Sequence, residues 1–282
     1  MGSRSRPAAS CSAADPCAAE YTHQRACIGG GYPRSMCGRI ALSSTTNELI
    51  TAFVAEGGRA IDWRPTYSIA PTTSAPIVRI SSSEQDSEQR ELALARWDWP
   101  KPPNRAAGGP IINARIEKLT SRFWVGPFSR SRCLVPMDPG YIEWTGAAGD
   151  KQPHLITGDG MLAAAGLTWT TDISNARAHV FVVVTREARD ASGEVHDRMP
   201  AFVTPDLWEA WLDPTPLTVD GDTRASASNR DELLALLEHS SESVARTMRT
   251  HLVDRRLNNS RTVDKHDPSI LDPIATGDAK PA

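Results

Sequence analysis

Short apolar runs separated by polar or proline-containing segments occupy the middle of this chain. Runs of this length and composition are typical of β-strands. They lie at residues 75–80, 91–99, 132–144, 154–158, 161–169 and 178–185. Helical spacing of apolar residues is confined to 45–55, 204–213 and 229–240. The pattern therefore predicts an α+β fold, a single β-rich domain with a few peripheral helices, rather than alternating βα units.

The two ends of the chain differ from its middle. Residues 1–35 are rich in Ala, Ser, Arg and Gly and have neither helical nor strand periodicity, so we expect a disordered extension. We expect the folded domain to occupy residues 36–273, and residues 274–282 to form a disordered tail. No internal repeat and no second composition break divides the domain.

Charge and cysteine content argue against several classes of protein. The formal net charge is −3, so a nucleic-acid partner would have to be recognised through local arginines. The five cysteines, at positions 11, 17, 27, 37 and 133, include no CxxC pair, which argues against a disulfide framework and a zinc site.

No apolar run reaches the roughly 18 residues of a membrane helix, and no apolar segment follows the basic start. We expect no membrane partner and a cytoplasmic location, nucleoid-associated if the source is bacterial.

Four polar residues stand where the apolar pattern does not predict them: Cys37, Asn113, Glu143 and His196. The chain has no P-loop and no GxGxxG, GxSxG or HExxH motif to explain them. Glu143, between two large apolar residues, either faces water or is buried at a considerable cost, and a buried carboxyl suits acid–base catalysis. Each residue also has a plain structural explanation. A cysteine is often a small buried hydrophobe, and a histidine in a polar loop is commonly at the surface.

Arginines lie close to these candidates. Those near a candidate or an aromatic residue are Arg39, Arg96, Arg115 and Arg198, and Arg122, Arg130 and Arg132 cluster shortly before residue 133. Such a set is typical of a groove that binds nucleic-acid phosphates, in which Trp97 or Trp99 could stack on a base. A solvated face with ordinary ion pairs is the alternative.

Eight short blocks, read in order, resemble the SRAP family of abasic-site processing proteins, also called the SOS response-associated peptidase family. They are MCGRI, RPTYSIAPTTSAPIVR, ARWDWP, IINARIEKL, RCLVPMDPGYIEW, AAAGLTW, VVVTREA and VHDRMP. The segment RRLNNSRTVDKHDPSILDP, at 255–273, is similar to the closing segment of that family. The resemblance thus runs from Met36 to about Pro273.

The resemblance implies a protein that recognises abasic sites in single-stranded DNA during the DNA damage (SOS) response. In this family the cysteine after the initiator methionine is the nucleophile, and it corresponds to Cys37. Its amine and thiol would close a thiazolidine ring on the aldehyde of the opened sugar, which links protein and DNA covalently. Abasic-site lyase activity and self-processing are further activities of this chemistry. It requires no metal or organic cofactor, and a monomer suffices.

The resemblance also assigns roles to residues in the other matched sequence blocks. The resemblance assigns Asn113 to positioning the sugar or the amine, Glu143 to proton transfer, and His196 to sugar ring opening or strand cleavage. The residues assigned to DNA binding are Arg39, Arg115, Arg198 and Trp97, the last as part of a wedge that splays the strand around the lesion.

Cys37 can form an imine only if its nitrogen is a free amine. In the hypothesis that we favour, translation starts at Met36 and ordinary methionine removal exposes Cys37. In the second hypothesis, the protein cleaves itself between these two residues. A chain that keeps residues 1–36 would have an altered function.

Two other functions stay open. Cys37 and His196 could form the catalytic dyad of a cysteine peptidase that acts on other proteins, although no peptide-binding motif supports it. A non-enzymatic single-strand DNA binder is the third reading, and its binding would not depend on Cys37.

Overall fold

The computed structural model describes residues 38–53, 61–81, 89–102, 108–147, 150–173, 175–217 and 230–274. All of them belong to one compact unit of the chain, residues 35–282. The predicted disordered extension at 1–35 lies outside the described residues, as does the predicted tail apart from residue 274. None of the helices in the described ranges combines the length and the apolar character that crossing a bilayer requires.

The described residues form twelve strands and five α-helices. The strands are β1 (Arg39–Leu42), β2 (Thr66–Ile69), β3 (Ser74–Ile80), β4 (Arg90–Trp97), β5 (Asn113–Arg115), β6 (Arg132–Met137), β7 (Gly140–Thr145), β8 (Gln152–Thr157), β9 (Leu162–Ile173), β10 (Ala176–Glu187), β11 (Arg198–Pro200) and β12 (Arg249–Leu252). The helices are α1 (Thr46–Phe53), α2 (Val125–Arg130), α3 (Asp190–Val195), α4 (Trp208–Leu212) and α5 (Arg230–Ala245). Short 3₁₀ turns lie at Ile116–Lys118, Pro205–Leu207, Arg255–Asn258 and Pro268–Leu271.

The strands are arranged in two sheets. The larger has the order β11-β10-β4-β3-β6-β9, and pairing of β9 with β10 closes five of its strands into a ring. In that sheet β10 runs parallel to β4 and β5 and antiparallel to β9 and β11. The smaller sheet has the order β12-β8-β7-β1-β2, with antiparallel pairs throughout. The predicted strands and helices lie within this arrangement, and the predicted α+β class with a β-rich core is confirmed.

The ring strands are apolar on both faces. All six residues of β6 are buried, as are residues 180–185 of β10. Tight contact between them requires Gly166 in β9, because a Cβ at this residue would lie 2.8 Å from Cys133 Sγ and 3.1 Å from the carbonyl oxygen of Val182. Burial of these runs contributes to the apolar area that stabilises the fold.

The two faces of the smaller sheet contact different apolar clusters. Ile40 and Tyr141 belong to the main core, which the ring strands share. Ala41 and Ile142, one residue further along their strands, belong to a second cluster with Leu257 and other residues near the end of the chain. This alternation decides which side chains of β1 and β7 can meet the larger sheet.

Candidate functional site

Glu143 lies in the smaller sheet, with only 2% of its surface exposed. It belongs to β7, where it pairs with His154 of β8. Side chains alternate along a strand, so Glu143 shares a face with Tyr141, two residues earlier, and not with Ile142. Because Tyr141 belongs to the main core, Glu143 points to the inner side of the sheet. Of the two environments that the sequence allowed for this carboxyl, the structure shows the buried one.

Helix α3 connects the inner face of β7 to His196. The phenol of Tyr141 donates a 2.9 Å hydrogen bond to Ser192 Oγ in α3. The helix ends at Val195, and the backbone N–H of His196 donates to the carbonyl of Ser192 at 3.0 Å. His196 is buried, so the surface position that is commoner for a loop histidine is not found. Tyr141 and Ser192 thus tie the strand of one candidate to the helix that precedes the other.

The two polar neighbours of His196 Nδ1 require different protonation states of that nitrogen. It lies 3.0 Å from the backbone nitrogen of Arg198 and 2.9 Å from Oδ1 of Asp197. The backbone N–H can only donate, which requires an unprotonated Nδ1, whereas an ion pair with Asp197 requires a proton there. A neutral imidazole that accepts from this backbone N–H carries its proton on Nε2, whereas an ion pair with Asp197, whose side chain is 70% exposed, requires the imidazolium.

Asn113 and Arg115 lie on the short strand β5. This strand runs parallel to β10, with Asn113 beside Val183 and Arg115 beside Thr185. Ala114, between them, is fully buried, while Arg115 is exposed. The alternation places Asn113 and Arg115 on the face of β5 that does not contain Ala114.

Trp97 supports β5 from inside the core. Its side chain is fully buried, and its ring stacks on Phe181 with centroids 6.0 Å apart. Its Nε1–H donates to the carbonyl oxygen of Ile112, the residue before Asn113, at 2.8 Å. The prediction that Trp97 forms part of a DNA wedge is wrong for this structure, because a ring without exposed surface cannot stack on a base. Trp99, the other candidate, is also buried and contacts Trp124.

Arg198 is paired with an acidic residue that the sequence did not single out. Its Nη1 lies 2.5 Å from Glu117 Oε1 and its Nη2 lies 3.0 Å from Oε2, while Nη2 also donates to the carbonyl of Thr185 at 2.7 Å. Burial acts to raise the pKa of Glu117, but the hydrogen bonds and the charge of Arg198 outweigh burial and lower it. This ion pair joins the segment that contains Asn113 and Glu117 to the segment that contains His196 and Arg198. A phosphate contact by Arg198 would have to compete with Glu117.

Arg39 lies on the outer face of the smaller sheet, away from Glu143. It pairs directly with Ile142, so the two side chains share that face. Its Nη1 donates to Ser68 Oγ at 2.9 Å, and its guanidinium carbon lies 5.5 Å from the centroid of the Trp144 ring. Burial lowers the pKa of Arg39. Arg39 therefore connects neighbouring strands, and its predicted phosphate contact stays a prediction.

Gly38 is the first described residue, and its close contact with Trp144 leaves no room for a side chain at this position. A Cβ at Gly38 would lie 2.2 Å from Cζ3 of Trp144, which no real side chain tolerates. The indole is itself held by a 2.7 Å hydrogen bond from its Nε1 to Asn258 Oδ1. Cys37, the predicted nucleophile, lies outside the described residues. Its covalent neighbour Gly38 contacts Trp144, which shares the outer face of the smaller sheet with Arg39.

Cys133 is the one free cysteine among the described residues. It is fully buried in the ring, and burial raises the pKa of its thiol, which makes it unreactive. In the same described ranges, no group of three or more His, Cys, Asp or Glu residues is placed to hold a metal ion.

The chain belongs to the SOS response associated peptidase (SRAP) family, whose model matches residues 36–260. This confirms the family that the sequence blocks indicated. The abasic site processing protein YoaM of Bacillus subtilis is 28% identical over 196 residues, which cover 66% of this chain and 82% of that protein. YedK of Escherichia coli, another abasic site processing protein, is 30% identical over 189 residues, or 63% of this chain and 79% of YedK. The abasic site processing protein HMCES of Xenopus tropicalis is 26% identical over 222 residues, or 63% of this chain and 66% of HMCES.

Solved structures share the fold. A protein of Bacteroides thetaiotaomicron superposes with a TM-score of 0.61 at 18% identity, over 85% of this chain and all of that chain (100%). A phage-related protein of Bordetella bronchiseptica superposes with a TM-score of 0.56 at 25% identity, over 78% of this chain and 95% of that chain. The predicted SRAP-type architecture is therefore confirmed as an α+β domain.

Proposed function

We propose that this protein recognises abasic sites in single-stranded DNA and becomes covalently linked to them through Cys37, when Cys37 is the first residue of the chain. The relatives named as abasic site processing proteins support the substrate class and a role in DNA damage. The observation that carries the proposal is the buried carboxyl of Glu143, on the face of β7 that Tyr141 ties to the helix before His196. Gly38, the residue after Cys37, contacts Trp144, which follows Glu143 in β7 and lies on the opposite face of that strand.

The first step is opening of the sugar. An abasic deoxyribose is mostly a cyclic hemiacetal, and its aldehyde forms when the C1′ hydroxyl loses a proton and the ring oxygen gains one. His196 is our candidate for this exchange: its imidazolium form, with Nδ1 beside Asp197, would donate the Nε2 proton to the ring oxygen, and Nε2 would then take up the proton of the C1′ hydroxyl. Asn113, which can both donate and accept hydrogen bonds, would hold the sugar or the amine in place.

Glu143 serves the two steps that follow. The amine of Cys37 adds to the aldehyde, and a protonated Glu143 donates to the resulting hydroxyl, which leaves as water and gives an iminium ion. The thiol of Cys37 then adds to the iminium carbon and gives its proton to the carboxylate of Glu143, which closes the five-membered thiazolidine ring. One water is lost in total, and neither an oxidant nor a reductant is needed.

The same iminium ion also allows cleavage of the DNA strand. It acidifies the hydrogen on C2′, and removal of that proton expels the 3′ phosphate by β-elimination. Ring closure by the thiol competes with this lyase reaction. Arg115, which is exposed, is our candidate for contact with a flanking phosphate, and Arg198 would make such a contact by exchanging Glu117 for the phosphate.

The test compares a form that begins at Cys37 with the full-length chain. Each is incubated with single-stranded DNA that contains one abasic site, and the products are separated on a denaturing gel. We expect a heat-stable shifted band for the short form only. Cys37→Ser, which keeps the amine but not the thiol, should lose the stable band yet remain trappable by borohydride as a reduced imine.

Two outcomes would reject the proposal. The absence of a band with either form removes the abasic-site function. An equally strong band with the full-length chain, verified as uncleaved by intact mass, removes the role of the free amine. Hydrolysis of a protein substrate by the uncleaved chain, lost in Cys37→Ala, would instead favour the peptidase function.

A further inference from the structure

Two adjacent cavities lie near the start of β10, at the end of that strand away from Arg198. One has a volume of about 440 Å³ and the other about 350 Å³, and Arg130, Ser131 and Trp169 line both. Arg177 marks this end of β10, whereas Glu187, paired with Arg198, marks the other. At about 3.3 Å per residue, the strand separates the two ends by roughly 30 Å. The cavities thus lie at the opposite end of β10 from Arg198, and Glu143, Asn113 and His196 line neither of them.

The larger cavity is positively charged. Arg130 and Arg177 are exposed on its border, and no ion pair joins either of them to an acidic residue in the described ranges. Arg79, in the wall, is bound to Glu91 at 3.0 Å and contacts His179 Nε2 at 3.1 Å. Burial, and then the charge of Arg79, lower the pKa of His179, so this imidazole is neutral near pH 7. The positive charge available to a ligand is therefore that of Arg130 and Arg177.

Arg132 lines the same cavity but is not available to a ligand. Its guanidinium donates to the carbonyl oxygens of Trp211 at 2.6 Å, Phe128 at 2.7 Å and Ser129 at 2.9 Å. Of the three arginines clustered in the sequence, Arg132 is thus a buried residue that holds loops together and Arg130 lines the cavity, while Arg122 lines neither cavity.

The smaller cavity is bordered by flat and apolar groups. Trp99, Pro100 and Pro127 contribute to its lining, and Trp169 stands between the two cavities with 49% of its surface exposed. An indole so exposed at the border of a cavity marks a place where a planar group can stack.

We infer that the two cavities together bind one nucleotide unit, with its base against Trp169 in the smaller cavity and its phosphate between Arg130 and Arg177 in the larger. A nucleotide combines a flat ring with an anion. The smaller cavity adds apolar surface beside Trp169, and the larger cavity adds Arg177 to the Arg130 that both share. The volumes are in the range of sites for molecules of this size. The inference rests on the proposed function for the source of the nucleotide, a single strand that extends away from the abasic site. A free mononucleotide has the same chemistry.

The test uses the complete chain and a labelled oligothymidylate that contains no abasic site, with binding measured by fluorescence anisotropy. Trp169→Ala should weaken binding by about tenfold, and Trp169→Phe should restore most of it. The double variant Arg130→Ala/Arg177→Ala should weaken binding and reduce the slope of log Kd against log salt by about 0.7 for one lost phosphate contact. Matched controls are Leu236→Ala and Arg246→Ala, exposed residues that do not line the cavities, and both should bind like the unmodified chain.

A second titration with thymidine monophosphate distinguishes the two sources. Displacement of the oligonucleotide by the monophosphate, lost in Trp169→Ala, assigns the site to free nucleotides. Binding of the oligonucleotide alone assigns it to a DNA strand. Unchanged Kd values for both probes in all cavity variants would overturn the inference.

The outcome is independent of cross-linking. Because the oligothymidylate lacks an abasic site, a nucleotide site would be seen even if no covalent adduct ever formed. Conversely, the form starting at Cys37 should cross-link abasic DNA at saturating concentration in Trp169→Ala as it does without the substitution. Failure of the proposed function and failure of this inference therefore give different results.

Discussion

The indole N–H of Trp97 donates a 2.8 Å hydrogen bond to the carbonyl of Ile112, the residue directly before Asn113. The same carbonyl accepts a hydrogen bond from the backbone nitrogen of Val183 at 3.1 Å. Strand β5 is only three residues long, so few ladder hydrogen bonds hold it in place. Trp97 therefore holds the backbone next to Asn113, and we infer that it positions Asn113 in the proposed reaction.

Replacing Trp97 with phenylalanine removes this hydrogen bond and keeps an aromatic ring in the core. We expect Trp97→Phe to lower the free energy of unfolding by at least about 1 kcal/mol. We also expect slower adduct formation at saturating DNA without a change in Kd for intact single strands. Urea unfolding, single-turnover gels and anisotropy measure the three quantities. A large loss of DNA affinity at unchanged stability would contradict this role, since that is the signature of a base-stacking residue.

The contact between Gly38 and Trp144 predicts a coupled effect. A methyl group at Gly38 would meet the indole at 2.2 Å, so Gly38→Ala should cost about 1–3 kcal/mol of stability and impair adduct formation. Trp144→Ala opens the space, and the double variant should be more stable than the sum of the two single effects. Gly109→Ala, where the added Cβ meets nothing within 4 Å, is the control. Additive effects in this cycle would show that the ring does not restrict residue 38.

Glu143→Gln tests proton transfer with a side chain of the same shape. The amide cannot donate a proton to the departing hydroxyl, so the single-turnover rate of adduct formation should fall about 10²–10⁴-fold. Binding to intact single strands should not change, because the buried side chain presents little surface to DNA. Glu209→Gln, an exposed glutamate on α4, should react at the original rate. A Glu143→Gln protein with unchanged rate but weaker DNA binding would assign this residue to binding instead.

Long, regular segments were predictable from the sequence. The apolar run before residue 185 lies in β10, and the helical spacing from residue 229 lies in α5, since such segments follow one periodicity over many residues. Short elements were not predictable. β5 and α3 have three and six residues, too few for a pattern, and are held by tertiary contacts such as that between Tyr141 and Ser192.

For the site, the sequence identified the candidate residues but did not show which way their side chains point. A carboxylate between apolar residues marked Glu143 in the sequence, yet only strand pairing shows that Arg39 faces the other side of the same sheet. Trp97 looked available for stacking because aromatic residues near arginines fit nucleic-acid binding. The closure of the five-stranded ring buries Trp97. This closure depends on pairing between distant strands, so no local sequence pattern predicts it.

The ion pair between Glu117 and Arg198 predicts a pH dependence with a definite sign. The pKa of Glu117 is lowered in the folded chain, so the pair stabilises the fold above the unfolded pKa, and that contribution is lost as pH falls through the lower folded value. The unfolding free energies of the original chain and Glu117→Gln should therefore differ most near about pH 7 and converge below about pH 4. The difference should be small, because the Glu117 side chain is 52% exposed and solvent screens the pair.

Urea unfolding across this pH range gives the difference, with Glu209→Gln as the control for loss of an exposed surface charge. Release of Arg198 from Glu117 should also tighten binding to single-stranded DNA at neutral pH, because the guanidinium then has no carboxylate to exchange for a phosphate. A stability difference that stays constant with pH would mean that Glu117 contributes through packing. In that case Arg198 would gain nothing from its removal, and DNA affinity should be unchanged as well.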